Sequence, residues 1–185
     1  MSLVIGIIGV PGTGKSTLMK KFMEGKEWTP HTPVKLVQGY TSGNMMLLGK
    51  YEEGEVFCGT DRLSMAVQPA VIEYLEGTPA PIVIFEGDRL NSVSFFEACK
   101  KAGHEVRIII LNVSDEIREQ RYKDRGSDQS EKFIKGRFTK VKNVSNMFGP
   151  NLMDDGNVSE FKHEVPEDTE LVVDYIQTRI KDYKS

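Results

Sequence analysis

The chain of 185 residues is long enough to bury a full hydrophobic core, and we expect a single domain over 1–185. Its net charge of −3 excludes a surface coated with basic residues for nucleic acid, but not a local basic patch. Its two cysteines, Cys58 and Cys99, are far apart with no CxxC pair, which argues against a disulfide framework or a zinc site. We therefore expect both thiols to be reduced in a cytoplasmic protein.

Two apolar runs, at 3–10 and 106–113, are too short to span a membrane, and Arg107 interrupts the second. The first run lacks both a basic n-region and a small-residue cleavage site, so we expect no secretory signal. We also expect no membrane partner. The histidines are scattered, and no role is expected for any of them: His31, His104 and His163.

In chain order, residues 3–8 are nearly all β-branched or leucine, which predicts a strand buried on both faces. A glycine turn follows, and then a helix whose apolar residues recur at helical spacing: Leu18, Met19, Phe22 and Met23. Residues 27–33 are interpreted as an irregular connection, and 34–40 favour a strand. The stretch at 45–58 predicts two short strands around the turn 52–54.

The second half of the chain alternates helices with apolar strands. Strands are predicted over 81–88, over 106–113 and near 160–165. Helices are predicted near Pro69, over 92–103, after Ser114, along the apolar stripe from Ile134 to Phe148, and after Pro166. This alternation implies an α/β fold with a parallel sheet covered on both faces. The hairpin-like stretch, about 40–58, is interpreted as an insertion in that pattern.

Residues 9–16, GVPGTGKS, match the pattern G-x-x-x-x-G-K-[ST] between a buried strand and a helix. Glycines in such a turn let backbone N–H groups converge on phosphate oxygens, and the helix N-terminus adds a partial positive charge. Lys15 is expected to reach the β- and γ-phosphates, and Ser16 to ligate Mg²⁺. The turn therefore predicts binding of a nucleoside triphosphate. The residues expected to bind ATP here are Gly9, Pro11, Gly12, Thr13, Gly14, Lys15, Ser16 and Thr17.

Three kinds of segment follow one another along most of the chain: the phosphate loop, acidic residues in VFCGTDRLS and VIFEGDRLN, and the arginine-rich SDEIREQRYKDRG. In this order they resemble the P-loop kinases of nucleotides, nucleosides and other small hydroxyl compounds. The resemblance implies a P-loop kinase-like α/β fold, with a five-stranded parallel sheet in the order 2-3-1-4-5 flanked by helices and a helical lid. It also implies ATP and Mg²⁺ as cofactors, and transfer of the γ-phosphate to an alcohol group.

Two predicted strand ends carry carboxylates that could accept the proton of a hydroxyl acceptor. The first, with Asp61 and Arg62, looks like the strand-Asp-Arg segment of polynucleotide-kinase-like enzymes, where the aspartate is the general base. The second, with Glu86, Asp88 and Arg89, is similar to the glutamate-bearing strand end of nucleoside kinases, but it lacks their Glu-Arg-Ser triplet. Asp61 is the preferred catalytic base, and Asp88 and Glu86 stay open as alternatives.

Other roles are open for the same residues. Glu86 could orient water bound to Mg²⁺, which would make it a metal-site residue together with Ser16. Each aspartate could instead form an ion pair with its own neighbouring arginine. Nucleoside monophosphate kinases place several arginines around the acceptor phosphate, so the predicted acceptor site combines two Asp-Arg pairs: Asp61, Arg62, Asp88 and Arg89.

The predicted lid covers about 114–130. Arg118, Arg121 and Arg125 lie at i, i+3 and i+7 there, on one side of a helix. The resemblance implies that lid arginines close over ATP and stabilise charge on the transferring phosphoryl group. Arg121 and Arg125 are the favoured catalytic pair, and Arg121 is also an expected ATP contact. The alternative is a solvated helix whose arginines pair with acidic neighbours: Asp115, Glu119 and Asp124.

The segment FCGTDRLSMAVQP, with the compact lid, also resembles the small bacteriophage kinases that phosphorylate 5-hydroxymethyluracil within DNA. That likeness implies a modified-DNA acceptor and the cytoplasm of a bacterial host. A basic stretch would then either follow the DNA phosphates or simply face solvent: Arg121, Lys123, Arg125, Lys132, Lys135, Arg137, Lys140 and Lys142. A flipped base needs apolar or aromatic walls, and the candidates, which could equally be core, are Tyr40, Tyr51, Phe57 and Met65.

Alternatives to this acceptor exist inside and outside the kinases. A nucleoside or nucleoside monophosphate kinase would phosphorylate a free acceptor. A P-loop NTPase or nucleotide-dependent switch would hydrolyse ATP without stimulation by any acceptor. A binding module that has lost its chemistry is disfavoured, because Lys15, Ser16 and Thr17 are all intact.

Overall fold

The computed structural model describes residues 1–55, 58–126, 130–150 and 156–184. Its strands are β1 (Leu3–Ile8), β2 (Thr29–Val34), β3 (Val37–Ser42), β4 (Met45–Leu48), β5 (Ile82–Glu86), β6 (Glu105–Asn112) and β7 (Val158–Lys162). Its helices are α1 (Lys15–Met23), α2 (Val67–Glu76), α3 (Val93–Lys101), α4 (Asp115–Asp124), α5 (Glu131–Phe148) and α6 (Pro166–Lys184), and Thr60–Arg62 form a short 3-10 helix.

The described strands form one sheet in the order β2-β3-β4-β5-β1-β6-β7. The five strands β4, β5, β1, β6 and β7 are parallel to one another. Numbered among themselves along the chain, these five have the predicted order 2-3-1-4-5. The expected α/β class is therefore confirmed, and two further strands, β2 and β3, extend the β4 edge in antiparallel pairing.

The hairpin predicted within 45–58 is wrong. Met45–Leu48 is a strand of the parallel sheet that pairs with β5, and its last three residues are buried. Between it and the 3-10 helix, the described residues contain a single antiparallel bridge, from Lys50 to Gly59; residues 56 and 57 lie outside the described part. The short apolar run of β4 is typical of a strand buried in a sheet. The turn residues that follow it favoured a hairpin instead.

The antiparallel strands lie earlier than predicted. Residues 27–33 were expected to form an irregular connection, yet Pro30 and Pro33 both belong to β2. Proline cannot donate a ladder hydrogen bond, so a strand that contains it is confined to the edge of a sheet. The position of β2 at the end of the strand order satisfies that condition.

Helices cover both faces of the sheet. One face packs against α2, α3 and α5 around a group of aromatic rings: Phe85, Phe95, Phe96 and Phe148. The other face packs against α1 and α6, mainly through Leu18, Phe22, Val172 and Ile176. Because successive side chains of a strand point to opposite faces, alternate residues of β1 contribute to both clusters. This packing holds the carboxyl ends of the parallel strands in place.

The predicted start of the helix after Ser114 is confirmed by its cap. The Ser114 hydroxyl accepts a hydrogen bond from the backbone N–H of Ile117, which satisfies one of the unpaired donors at the beginning of α4. Among the described residues, no helix combines the length and the apolar character that a membrane crossing requires.

Candidate active site

The carboxyl ends of β1, β4 and β5 converge on a cavity of about 550 Å³. Ligands of open α/β sheets bind at this edge, where loops after neighbouring strands meet. The cavity is lined by the phosphate loop, both predicted strand ends, the end of α4 and the beginning of α5: Gly9, Pro11, Gly12, Gly14, Lys15, Ser16, Cys58, Asp61, Arg62, Met65, Glu86, Asp88, Arg89, Tyr122, Arg125, Phe133 and Arg137.

The phosphate loop has the backbone that its sequence predicts. Gly12 and Gly14 have φ of 82° and 85°, in the left-handed region that favours glycine. Lys15 donates to the carbonyls of Gly9 at 2.9 Å and Val10 at 3.2 Å, so its ammonium group already lies across the loop. Burial lowers the pKa of Lys15, and the nearby negative charge of Glu86 opposes that effect.

The outer side of the same loop contacts two segments remote in sequence. Tyr122 and Arg121 of α4 donate to the carbonyls of Pro11 and Gly12, at 2.7 Å and 2.9 Å. His163, which is 4% exposed, makes a 2.7 Å hydrogen bond with the carbonyl of Thr13. Burial lowers the pKa of His163, which favours the neutral ring.

Glu86 lies at the end of β5, directly beside the first turn of α1. Its Oε1 accepts a 3.0 Å hydrogen bond from the Ser16 hydroxyl, and the residue is only 1% exposed. Burial raises the pKa of Glu86 to about 7, although the positive charge of Lys15 opposes the shift. A hydroxyl and a carboxylate are the hard oxygen ligands that Mg²⁺ prefers, so Ser16 and Glu86 fit the predicted metal site.

Asp61 lies in the 3-10 helix and lines the cavity beside the phosphate loop. Its Oδ1 accepts a 2.8 Å hydrogen bond from the backbone N–H of Asp88, and among the described residues its Oδ2 has no partner. Next to it, the Thr60 hydroxyl donates to the carbonyl of Glu86 at 2.8 Å. These two bonds tie the 3-10 helix to the end of β5 and leave one carboxylate oxygen of Asp61 available to a ligand.

The Asp88 side chain has a different environment. Its Oδ2 forms ion pairs with Arg137 and with Lys140, the latter at 2.9 Å, both from α5. Two residues of the predicted basic stretch therefore share a single carboxylate at the cavity. The alternative pairing of Asp88 with Arg89 does not occur.

Three of the four other arginines of the prediction line the cavity, Arg62 among them. Arg62 pairs with Glu52 and Glu55, at 3.2 Å and 2.8 Å, rather than with Asp61. Arg118 pairs with Asp115 at 2.7 Å, as the solvated-helix alternative expects. Arg89 and Arg125 line the cavity, and the buried Nε of Arg89 has no hydrogen-bond partner in the described ranges.

The aromatic and apolar residues predicted to enclose a flipped base do not all lie together in the structure. Met65 is 80% exposed and lines the cavity. Tyr51 packs against the α1 and α6 side of the core, and its buried hydroxyl lies near the Glu86 carboxylate. The Tyr40 ring lies 6.3 Å from the Tyr51 ring, on the same side. Phe57 lies outside the described residues.

Comparison with known proteins agrees with the kinase-like geometry of this cavity. Residues 2–178 match the family P-loop Nucleotide Kinase3. The chain belongs to this family. Membership supports phosphoryl transfer of the kinase type, with ATP as the phosphate donor. No curated protein sequence matches the chain.

A solved gluconokinase structure shares the fold of this P-loop nucleotide kinase family member. A gluconokinase from Sinorhizobium meliloti 1021 is 13% identical with a TM-score of 0.51, and the match covers 100% of this chain and 97% of that one. A sugar kinase from Janibacter sp. HTCC2649, in an unliganded structure, is 10% identical with a TM-score of 0.48, over 98% of this chain and 95% of that one. At such identities, the first comparison is informative about the fold alone.

Three residues of this P-loop nucleotide kinase family member escaped the sequence analysis. His163 and Tyr122 contact the phosphate loop, and Phe133 lines the cavity below the Arg137 guanidinium, which lies 4.4 Å from its ring centre. Arg121 was predicted to contact ATP, but it does not line the cavity and binds the outer side of the loop instead. The distance of 109 residues between Arg121 and Gly12 left no local signal for this contact.

Proposed function

We propose that the protein is an ATP-dependent kinase that transfers the γ-phosphoryl group to a hydroxyl of a nucleotide-type acceptor. The observation that carries this proposal is the position of Asp61 in one cavity with the phosphate-loop residues Lys15 and Ser16. A kinase must hold a hydroxyl in line with the γ-phosphate and give its proton a place to go. A half-buried carboxylate with one unengaged oxygen meets the second need.

The proposed roles follow from what each side chain already contacts. Asp61 accepts the proton of the acceptor hydroxyl as the new O–P bond forms and the bond from the γ-phosphorus to the bridging oxygen breaks, so that ADP leaves. Asp88 is less suitable as the base, because Arg137 and Lys140 occupy its side chain. Its backbone N–H orients Asp61 instead.

The phosphates of ATP would occupy the phosphate loop, with Lys15 turning from the loop carbonyls to the β- and γ-phosphates. Ser16 and Glu86 would hold Mg²⁺, which would supply positive charge to the phosphates. Arg125, which lines the cavity from the end of α4, is the proposed lid arginine that stabilises charge on the transferring group.

For the acceptor, we propose the hydroxymethyl group of 5-hydroxymethyluracil in DNA. Three features support this choice: the likeness around Thr60-Asp61-Arg62, the apolar rim formed by Met65 and Phe133, and the basic α5 beside it. A flipped base would enter between the two apolar side chains. The exposed lysines of α5 would meet the neighbouring DNA phosphates: Lys132, Lys135 and Lys142.

A free nucleoside monophosphate is the second candidate acceptor. Arg89 favours it, because its Nε is buried at the cavity without a partner in the described part of the chain. A guanidinium group in this position is suited to a phosphate. Both candidates place an anionic, nucleotide-like molecule in the same cavity, and they differ in whether that molecule is part of a polymer.

The test is transfer of labelled phosphate from ATP to five acceptors: hydroxymethyluracil DNA, thymine DNA, free nucleosides, nucleoside monophosphates and water. We expect transfer to hydroxymethyluracil DNA alone, and a rate that falls with added salt more steeply than ATP affinity does. Transfer to a monophosphate with none to modified DNA would establish the second candidate. ATP hydrolysis that no acceptor stimulates would replace both with a P-loop NTPase.

A further inference from the structure

Every carbonyl of the phosphate loop from residue 9 to residue 13 accepts a hydrogen bond from a side chain. Lys15 binds the carbonyls of Gly9 and Val10, and the Thr13 hydroxyl also binds that of Val10, at 2.9 Å. These donors belong to the loop and its helix. The carbonyls of the next three residues depend on donors from elsewhere in the fold.

Those three external donors bind consecutive peptides. Tyr122 Oη donates to Pro11 at 2.7 Å, Arg121 Nη1 donates to Gly12 at 2.9 Å, and His163 Nδ1 donates to Thr13 at 2.7 Å. The first two come from α4, and the third follows β7. The loop is therefore held from its outer side by two different elements, which we call the outer clamp: Arg121, Tyr122 and His163.

The geometry of the peptide bond gives this contact a consequence on the inner side. In a planar trans peptide the C=O of one residue and the N–H of the next point in opposite directions. A donor that holds the carbonyls of Pro11, Gly12 and Thr13 outward therefore holds the N–H groups of Gly12, Thr13 and Gly14 inward. Inward N–H groups are what a phosphate loop presents to an anion.

Two members of the clamp, Arg121 and His163, are also connected to each other. Arg121 Nη2 donates to the carbonyls of His163 and Glu164, at 3.2 Å and 3.3 Å. His163 Nε2 accepts a 2.8 Å hydrogen bond from the Thr169 hydroxyl, which leaves Nδ1 as the donor to the loop. Because these bonds connect α4 and the β7–α6 segment to each other, the clamp is one network.

The packing of the clamp requires glycine in the loop. A Cβ at Gly12 would lie 2.9 Å from the Tyr122 ring, and a Cβ at Gly14 would lie 2.5 Å from His163 Nδ1. The two glycines thus do more than permit a left-handed backbone. They let the rings approach closely enough for their polar atoms to reach the carbonyls.

We propose that Tyr122, Arg121 and His163 are positioning residues for ATP, which act by fixing the orientation of the Gly12, Thr13 and Gly14 N–H groups. This inference rests on the proposed use of ATP and adds residues that orient the loop through its carbonyls, of which Tyr122 also lines the cavity. It also gives Arg121 a different role from Arg125, although the two residues lie close together at the end of α4. The clamp ties the lid helix to the loop, so that α4 and the phosphate site act as one unit.

The test compares two tyrosine variants that each lose one hydroxyl. Tyr122→Phe removes the donor to Pro11 and keeps the ring against Gly12. Tyr183→Phe is the matched control, because its hydroxyl donates to the carbonyl of Met1, away from the loop, at 3.0 Å. ATP affinity is measured by calorimetry without acceptor, and the rigidity of the Gly12 and Thr13 N–H groups by NMR order parameters in the ATP-free protein.

We expect Tyr122→Phe to weaken ATP binding about 3- to 10-fold, the range for loss of one neutral hydrogen bond, and to lower the two order parameters. Tyr183→Phe should change neither. In turnover assays the KM for ATP should rise while the KM for the acceptor stays unchanged. His163→Leu should have the larger effect, and His163→Gln, which keeps an N–H donor, should partly restore ATP binding.

One result would contradict the clamp, and a different result would contradict the proposed function. Unchanged order parameters, with ATP affinity within about twofold of the parent in Tyr122→Phe, would overturn the clamp. An unaltered protein that binds no ATP would overturn the proposed function, and the order parameters would still decide whether the clamp orients the loop.

Discussion

The backbone N–H of Asp88 donates a 2.8 Å hydrogen bond to Oδ1 of Asp61, across 27 residues of chain. One bond thus joins the 3-10 helix that carries Asp61 to the segment after β5 that carries Asp88, and the two aspartates have unequal environments. Asp61 is held through one oxygen and keeps the other for a ligand. The Asp88 side chain turns to α5, where Arg137 and Lys140 engage it.

Replacing each aspartate by asparagine distinguishes the catalytic role proposed for Asp61 from the structural role of Asp88. Asp61→Asn should lower kcat by about 10²-fold or more with ATP affinity unchanged, because it removes proton acceptance at nearly constant volume. Asp88→Asn should lower the free energy of unfolding by about 1–3 kcal/mol, since two charged hydrogen bonds to α5 weaken. Steady-state kinetics and urea unfolding of both variants check this. A loss of kcat in Asp88→Asn with none in Asp61→Asn would assign the base to Asp88.

Lys15→Ala should reduce phosphoryl transfer by more than about 10³-fold, because no other loop side chain brings a positive charge to the β- and γ-phosphates. The fold should persist, since the Lys15 ammonium contacts two loop carbonyls rather than the core. Lys20→Ala, on the exposed side of α1, is the control and should transfer normally. Circular dichroism and labelled-ATP transfer test both variants. Residual transfer within about tenfold of the parent would remove Lys15 from the mechanism.

The free energy of unfolding should depend on pH through Glu86. Its pKa is about 7 in the folded protein, against an ordinary value of 4.5, because burial penalises the charged carboxylate. Between these values the folded state holds a proton that the unfolded state has lost, so the contribution of Glu86 to stability is fully present below pH 4.5, falls as pH rises from about 4.5 to about 7, and is lost above that range. The contribution lost is up to about 3 kcal/mol.

The measurement is urea unfolding from pH 5 to pH 8.5 without ATP or Mg²⁺. In Glu86→Gln the side chain cannot ionise, so this part of the pH slope should disappear, and the variant should be the more stable protein at pH 8. A parent protein whose stability rises over the same range would contradict the burial of an uncharged Glu86.

Gly87→Ala should impair both stability and catalysis. The residue has φ of 116°, and a Cβ there would lie 2.6 Å from the Thr60 hydroxyl and 3.1 Å from Asp61 Oδ1. We expect a loss of about 1–3 kcal/mol and a displaced Asp61 with lower kcat. Gly103→Ala is the matched control: its φ is 83°, but nothing lies within 4 Å of the added atom. Steady-state kinetics and thermal unfolding of both variants check this. Equal kcat in the two variants would show that Asp61 tolerates the added methyl group at position 87.

Two parts of the fold show how far the sequence could be interpreted. The parallel core was predictable, because buried strands and amphipathic helices alternate in patterns that each segment carries alone, whereas its strand order was implied by the resemblance to P-loop kinases. The strand Met45–Leu48 was misassigned because four apolar residues beside turn signals suit either a hairpin or a buried strand. Its pairing with β5, 37 residues further along the chain, decides between them, and no local pattern reports that pairing.

By itself, the sequence determined the phosphate loop, since glycines, lysine and serine act there through spacing within a single turn. It also determined the α/β class and the set of candidate carboxylates. Only the tertiary structure decided that Asp61 and Asp88 share a hydrogen bond, and that His163 contacts the loop from 150 residues away. The physical reason is that hydrogen bonds and burial depend on distance in space, whereas sequence patterns record only neighbours along the chain.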